Sequence, residues 1–536
     1  MLAILALALG VIYTIYLWVN AKPKNYPPGP PCLPFIGSLL SMPTHDIHLS
    51  MMKWQHTYGS LTGFMMGGQP MVAVCEPKAV QEVLRREEFQ GRPDMFIFKE
   101  RSFNKKLGVF FSDGHFWVEQ RRFTLRHLRE FGFGKKSMES VMHQEVDELS
   151  AHLKSSEITE VFGLFNIPVL NVLWSIMAGK RFSHDDKEFK DILERLFEAF
   201  RSGNPSGGVV NMIPALRHIM PKSSGYSIIK ETNTSSQQLL KKVIDEHEKT
   251  LDANNPRDFI DVYILEQRLQ KNVENSTFST EGLIVTCMDL FGAGAESVSN
   301  TMGFCLLYLV LHPQIQEKVQ EELDRVVGRS RKVALEDRSS LPFTEAVISE
   351  VSRINTIAPL CPPHRATKDT HFDGHFIPKS PPVCSHRAVR IDKMSPASGP
   401  LSRRCKLLEL RCADMLVFLL GLIVLSFLQD TILIISLWSI LHDKDHWGDP
   451  EVFRPQRFLD TDGKFVRDEW LTPFGIGKRF CMGEPLARNS LFIFFSCLLQ
   501  EFTFSLPEGD PSPSTQALPG FTTAPRPFRV KITHRL

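Results

Sequence analysis

The residue whose surroundings point most directly to chemistry is Cys481. It lies in the loop Phe474-Gly-Ile-Gly477-Lys-Arg479-Phe-Cys481-Met-Gly483, immediately ahead of an apolar stretch of helical spacing over residues 484–499. The N-terminus of a helix favours a thiolate, because its first N–H groups carry partial positive charge. Gly483 lets the loop turn tightly onto the helix. Arg479 can neutralise an anionic group nearby. A thiolate so placed can bind iron as a single axial ligand. An isolated cysteine is usually a small buried hydrophobe; the cationic, glycine-punctuated loop is what argues for a ligand here.

A second constellation sits inside one long segment. Residues 280–311 run without proline and start on a capping pattern, Ser279 or Thr280 ahead of Glu281. The segment is apolar on nearly every face, which predicts a helix inside the body. Gly292-Ala293-Gly294-Ala295 interrupts it, lowering helix propensity and opening the backbone to close approach. Glu296 and Ser297 follow at once. A buried polar pair beside a gap is a functional signal, with plain helix packing as the competing reading.

These residues must be positioned by a body of 536 residues, 43% apolar and 23% charged. That composition is globular and excludes a disordered, collagen-like or multi-span membrane chain. A net charge of +2 gives no reason to expect nucleic acid as a partner. None of the ten cysteines forms a CxxC pair, so neither a zinc finger nor a disulfide framework is signalled. Residues 1–21 read as a membrane anchor: 2–19 carry no charged side chain, Tyr13, Tyr16 and Trp18 lie near the end, and Lys22 and Lys24 follow. About 20 apolar residues cross a bilayer, and the positive-inside rule puts the remainder on the cytosolic side. No basic residue precedes the apolar run, which argues against a cleaved signal. Residues 22–37 form a stiff Pro-rich linker, with prolines at 27, 28, 30, 31 and 34.

The domain expected over 38–536 is mainly α with small β-sheets. Helical spacing recurs at 79–84, 137–153, 185–200, 235–251 and 312–327, and β-like stretches occur at 71–74 and 528–532. Residues 380–429 do not fit this pattern. The flanks 371–379 and 431–438 would make two adjoining strands if joined directly. Between them lie some 50 residues rich in Ser, Pro, Arg and Cys, then strongly apolar over 415–428. So long a structureless excursion inside a compact domain is uncommon. We read it as a retained intron or a similar gene-model error; a disordered loop or a second membrane contact are the alternatives.

The sequence resembles the cytochrome P450 haem-thiolate monooxygenases, in particular microsomal, insect-type members. Positions 474–483 match the family's Phe-x-x-Gly-x-Arg-x-Cys-x-Gly signature in full. The resemblance implies the P450 fold, a triangular helical body behind a single transmembrane helix, with haem b as cofactor. It implies that Cys481 is the proximal iron ligand and that Arg479 contacts a haem propionate. Trp117-Val-Glu-Gln-Arg121 is similar to the family's Trp-x-x-x-Arg, two positions that share a helix face and can reach one propionate. Arg92 and His364 are similar to two further propionate contacts. Glu350-Val-Ser-Arg353 and the Arg457 of Pro455-Gln-Arg457-Phe458 are similar to a structural triad that braces the cysteine loop. One carboxylate gripped by two guanidiniums is a strong, oriented network.

Ala293-Gly-Ala-Glu296-Ser297 resembles the family's Ala-Gly-x-acid-Thr. The resemblance implies that the small residues open space for dioxygen and substrate, and that Glu296 and Ser297 deliver protons for O–O cleavage. Serine replaces the usual threonine; it keeps the hydroxyl and lacks the methyl that restricts its rotamer. Arg121, Arg122, Arg126 and Arg129, with Lys135 and Lys136, form a basic cluster. In the family this helix is where an acidic reductase docks, and charge steering suits a transient complex. The chain has no nicotinamide or flavin fingerprint of its own. The implied electron source is a separate NADPH–cytochrome P450 reductase, with cytochrome b5 as a second donor, at the endoplasmic reticulum membrane. Residues 117–135 are most similar to insect enzymes related to methyl farnesoate epoxidases, which implies an apolar isoprenoid, with steroids and xenobiotics as alternatives. Pocket residues carried over from family position are Phe110, Phe291, Ala295, Ile357 and Phe521. Two other functions stay open at this stage: a haem-thiolate isomerase or dehydratase that needs no dioxygen, and an inactive product caused by the insert.

Overall fold

The computed structural model describes residues 8–10, 12–13, 25–33, 36–42, 46–67, 69–135, 138–184, 186–202, 209–212, 216–379 and 430–535. Most of the expected anchor, and all of 380–429, lie outside the described residues. Among the described residues no helix is long and apolar enough to cross a membrane. The chain is mostly helical with small sheets and divides into two compact units.

The first unit comprises 1–79, 86–94 and 363–435. Its described elements include helix α1 (Ile47–Tyr58) and strands β1 (Leu61–Met66), β2 (Gln69–Val74), β3 (His364–Arg365), β4 (Thr370–Phe372), β5 (His375–Ile377) and β6 (Ile432–Ile435). One sheet has the order β1-β2-β6-β3, with β6 parallel to β2 and antiparallel to β3. Every residue of β6 is buried, as its unbroken Ile-Leu-Ile-Ile run demands of an inner strand. The flanks of 380–429 are therefore not partners of one another. Residues 370–372 and 375–377 close a hairpin of their own. Asp373 and Gly374 both have positive φ, the backbone that a two-residue hairpin turn requires. The two ends nevertheless meet: Thr431 N–H donates to the Lys379 carbonyl at 3.1 Å, and Arg365 pairs with Asp430 at 2.5 Å.

The second unit comprises 80–85, 95–362 and 436–536. Its longer helices are α2 (Gly114–Glu130), α3 (Glu139–Lys154), α4 (Asn166–Ala178), α5 (Lys187–Ser202), α6 (Tyr226–Thr250), α7 (Phe259–Leu269), α8 (Thr280–Leu311), α9 (Pro313–Val326), α10 (Pro342–Asn355) and α11 (Glu484–Glu501). A three-stranded sheet pairs Ile158–Glu160 and Phe502–Ser505 on either side of Arg529–His534. Ser279 caps α8, its hydroxyl accepting from the Gly282 N–H at 3.0 Å. Pro313 starts α9 at once, since its missing N–H costs nothing in a first turn. Helix α8 packs against α4, α6, α10 and α11, which explains why it is apolar all round. Gly294 has a structural cause: a Cβ there would lie 2.6 Å from Leu173 Cδ2 of α4. It lets α4 cross close to α8, so at this position the small residue serves helix packing.

The corner between α6 and α7 is fixed by His247. Its Nδ1 lies 2.7 Å from the Val243 carbonyl and its Nε2 2.8 Å from Asp258 Oδ2. Both partners are acceptors, so both ring nitrogens donate and the imidazole is cationic. Asp258 also caps α7, accepting from Asp261 N–H. Burial lowers the histidine pKa, but the bond and charge of Asp258, helped by the Val243 carbonyl and Asp261, outweigh it and the net direction is up. Arg257 holds Asp261 ionised beside this pair. A raised folded-state pKa stabilises the fold below the ordinary value of about 6.5 and loses that contribution as pH rises through the folded value. We expect the melting temperature to fall over that window. His247→Gln should remove that slope, and an identical slope in the variant would contradict the assignment.

Candidate active site around Cys481

The cysteine loop is held by its own backbone. Cys481 N–H donates to the Phe474 carbonyl at 3.0 Å, and Phe480 N–H to the Gly477 carbonyl at 3.1 Å. Gly477 is obligatory: its φ is +75°, and a Cβ there would stand 2.1 Å from the Leu84 carbonyl oxygen. Helix α11 begins three residues after Cys481. Cys481 is exposed, although protein crowds around its sulfur. That crowding pushes the thiol pKa up, the N–H groups of Gly483 and Glu484 and the charge of Arg121 oppose it, and Glu484 adds to the rise. Accessibility decides whether a ligand can reach the sulfur, and Cys481 is accessible.

Helix α2 supplies the neighbouring donors. Trp117 and Arg121 lie one turn apart on a shared face. Arg121 Nη2 donates to the Phe480 carbonyl at 2.6 Å, tying α2 to the cysteine loop. The guanidiniums of Arg479 and Arg121 stand 3.8 and 5.6 Å from the centre of the Trp117 ring. Trp117 Nε1–H is buried and has no partner among the described residues. A buried indole N–H normally finds an acceptor. A carboxylate between this N–H and the two guanidiniums would satisfy it, so the donor set fits an acid-bearing cofactor whose iron the Cys481 thiolate could take. Two sequence-predicted contacts lie in the other unit. Arg92 and His364 are both buried, where an isolated Arg or His is usually at the surface. Arg92 Nη1 donates to the Pro363 carbonyl at 3.0 Å, and His364 Nδ1 lies 2.7 Å from the Phe89 carbonyl.

Glu350 is fully buried on α10 with Arg353 one turn on, not a surface pair. Glu350 Oε2 accepts from Arg353 Nε at 2.7 Å. Its Oε1 accepts from Arg353 Nη2 at 2.9 Å, Arg457 Nε at 3.0 Å and the Arg454 N–H at 2.9 Å. Both arginines spend remaining donors on backbone carbonyls, Leu441 and Pro450 for Arg353, Trp447, Asp449 and Val452 for Arg457, and Arg457 Nη2 also meets Asp449 Oδ1 at 3.1 Å. The triad thus fixes the segment 441–457 against α10. The triad bears on no reacting atom and is structural.

Helix α8 turns its mid-section toward a group of aromatic side chains. Ala293 is exposed and Ser297 half-buried, while Glu296 and Ala295 are buried. Glu296 Oε1 accepts from Arg201 Nη2 at 2.8 Å, and its Oε2 accepts from the Thr522 hydroxyl. Burial raises its pKa against the opposing effects of Arg201 and Thr522. Ser297 donates back to the Ala293 carbonyl at 2.9 Å, so the hydroxyl and the carboxyl do not bond to each other. Of the expected pocket residues, Phe110 and Phe521 come together, ring centres 6.0 Å apart, with Phe200 5.7 Å from Phe521. Ile357 is joined to this wall through Thr523, whose N–H donates to its carbonyl at 2.9 Å. Phe291 and Ala295 belong instead to the core: the Phe291 ring packs on Trp174 and Phe189 at 5.8 and 6.0 Å. Position on a helix near a functional residue does not fix which face a side chain takes.

Several contributors escaped the sequence reading. Asp289 accepts from Val109 and Phe110 N–H at 2.7 and 3.0 Å and from Arg101 at 2.6 Å, pinning the Phe110 loop to α8. Gly108 permits this, since a Cβ there would collide with Asp289 Oδ2 at 2.3 Å. Arg201 and Thr522 were missed as well. A cation four residues after Phe197 on an apolar stripe was the available signal for Arg201. Of the basic cluster, Arg121 turns inward, Arg122, Arg126, Arg129 and Lys135 are exposed, and Lys136 lies outside the described residues. Arg126 pairs with Glu130 at 3.1 Å at the surface, a contact of little energetic weight.

Residues 27–384 and 425–532 match the family model for cytochrome P450, and the chain belongs to that family: it is a haem-dependent monooxygenase by class. Among its relatives, a farnesoate epoxidase of Bombyx mori is 35% identical over 94% of this chain and 93% of its own. Cytochrome P450 2C3 of Oryctolagus cuniculus is 34% identical over 99% of both chains, and cytochrome P450 2C29 of Mus musculus 35% over 98% of both.

Replacing Glu350 by Gln would keep the shape of the triad while stripping the charge that two buried guanidiniums share. Unpairing buried charges costs about 3–5 kcal/mol. We expect Glu350→Gln to lose its haem spectrum at far lower temperature than the unaltered protein; equal thermal retention would contradict the bracing role.

Proposed function

We propose that this chain is a membrane-bound haem-thiolate monooxygenase that inserts one oxygen atom from dioxygen into an apolar isoprenoid bearing a carboxyl-derived end. The observation that carries the site assignment is the accessible Cys481 ahead of α11, flanked by Arg479 and Arg121 and by an unsatisfied Trp117 N–H. Cys481 would hold the haem iron. Arg479, Trp117 and Arg121 would hold its propionates, and the resemblance to the family is what assigns Arg92 and His364 the same role. The haem supplies dioxygen activation when bound. The protein would position the substrate against Phe110 and Phe521, exclude water there, and hold protons at Glu296 and at the Ser297 hydroxyl. The substrate class is supported by the phenyl walls and by the Bombyx mori relative, named for farnesoate.

Electrons would come from NADPH through a cytochrome P450 reductase, with cytochrome b5 able to contribute, docking on exposed Arg122, Arg126 and Arg129. The anchor at 1–21 would keep the catalytic body on the cytosolic face of the endoplasmic reticulum. We read 380–429 as dispensable: the family match stops at 384 and resumes at 425, and Lys379 and Thr431 are one hydrogen bond apart.

Membranes carrying the full chain and the reductase should convert methyl farnesoate to an oxygenated product only when both NADPH and dioxygen are present. Product formed without either would instead favour an isomerase. Reversing Arg122, Arg126 and Arg129 to Glu should raise the reductase concentration needed for half-maximal turnover about tenfold, as loss of charge steering does, and leave the haem spectrum unchanged. Deleting 380–429 should preserve or increase the amount of haem-loaded protein; its loss would show that the segment is integral.

A further inference from the structure

Arg201 stands at the end of α5 and is only partly committed. Its Nη2 donates to Glu296 Oε1 at 2.8 Å. Its Nε and Nη1 are buried and have no partner among the described residues. Glu296 accepts from Thr522 through its second oxygen, and neither Nε nor Nη1 of Arg201 bonds to it. Buried donors left unmade are costly, so native proteins pair them with protein, water or ligand. Phe200, the residue before, lies 5.7 Å from Phe521, which in turn lies 6.0 Å from Phe110. Phe521 N–H donates to the Phe200 carbonyl at 2.9 Å, which fixes Phe521 beside the end of α5. At Gly520 a Cβ would meet the Thr522 and Phe200 carbonyl oxygens at 2.8 and 3.1 Å and Arg201 Nη1 at 3.5 Å, so only glycine fits this close beside the guanidinium.

The charge balance narrows what can fill the site. With Glu296 ionised, Arg201 and Glu296 form a neutral pair, the carboxylate buried and the guanidinium side chain 21% exposed. A second carboxylate would bring an unbalanced negative charge into a poorly solvated site, which is expensive. A carbonyl oxygen accepts the same hydrogen bonds without adding charge. The rest of the ligand meets phenyl rings and must be apolar. We propose that the two free donors of Arg201 bind the carbonyl oxygen of a neutral carboxylic ester at the end of an otherwise apolar substrate, and that this residue sets preference for the ester over both the free acid and the plain hydrocarbon. The inference rests on the monooxygenase reading above and names which end of the substrate α5 recognises.

The test is a spectral binding titration on membranes holding the full, haem-loaded chain, with methyl farnesoate, farnesoic acid and farnesene as probes. A hydrogen bond to a charged donor predicts that the ester binds at least about tenfold tighter than farnesene, and tighter than the acid. Arg201→Lys keeps the charge beside Glu296 but loses the forked donors. In that variant the preference for ester over farnesene should fall to about twofold or less, with farnesene affinity little changed. Arg201→Gln, which removes the charge, should do the same and guards against a folding defect in the first variant. Equal affinity for ester and farnesene in the unaltered protein, tightest binding of the acid, or an ester preference that survives in both variants would each overturn the proposal. The reduced carbon monoxide spectrum of the same membranes separates the two levels: a thiolate-type band with no ester preference overturns this inference alone, and absence of the band overturns the monooxygenase reading and this inference with it.

Discussion

A carboxylate with no access to water must have all its charge answered by protein, and Glu350 is answered by two arginines and a backbone N–H. Those arginines are in turn oriented by carbonyls of residues 441–452 and stacked beside the Trp447 ring at 5.2 and 5.8 Å. The consequence is a rigid joint between α10 and an irregular segment that has little regular structure of its own. Irregular backbone needs such fixed partners, because its polar groups have no helix or sheet to satisfy them. A small cluster of Ala346, Leu441, Trp447, Phe458 and Leu471 packs around the joint and carries the order onward to Phe474, where the cysteine loop begins. Stability of a buried network and placement of the cysteine loop are therefore one problem in this protein.

Helix α8 solves a second problem, serving the core and an aromatic wall at once. Toward the core it is smooth, and Gly294 lets α4 press against it. Along the same helix Asp289 and Glu296, two turns apart, each fasten a separate segment: the Phe110 loop in one case, α5 and the turn at Thr522 in the other. Buried acids used this way act as clamps. Each needs donors from elsewhere in the chain, so each is satisfied only when the wall is assembled. The same clamp that fixes Glu296 leaves Arg201 with donors to spare.

Much of this was legible in the sequence. Local rules located α8 to its terminal residues, because the Ser279 cap and the Pro313 start are read from side-chain chemistry alone. The Trp117–Arg121 spacing and the turn glycines of the cysteine loop were legible for the same reason: each depends on neighbours within a few positions. What the sequence hid depends on long-range pairing. The strands flanking 380–429 seemed to belong together, whereas β6 pairs with β2, some 360 residues away along the chain. The face taken by Phe291, and the partners of Glu296, are set by which helices pack on α8, and helical spacing cannot say which neighbour occupies which face. Arg201 illustrates the same limit, since its role comes from the donors that Glu296 does not use.

The central claim is that Cys481, held at the start of α11, ligates haem iron as a thiolate. It is tested most directly by the carbon monoxide difference spectrum of the reduced, membrane-expressed full chain beside its Cys481→Ser variant. The account predicts a strongly red-shifted Soret band, the mark of a thiolate ligand, in the unaltered chain and its disappearance in the variant. The same band in both, or a haem-loaded unaltered chain without it, would contradict the account.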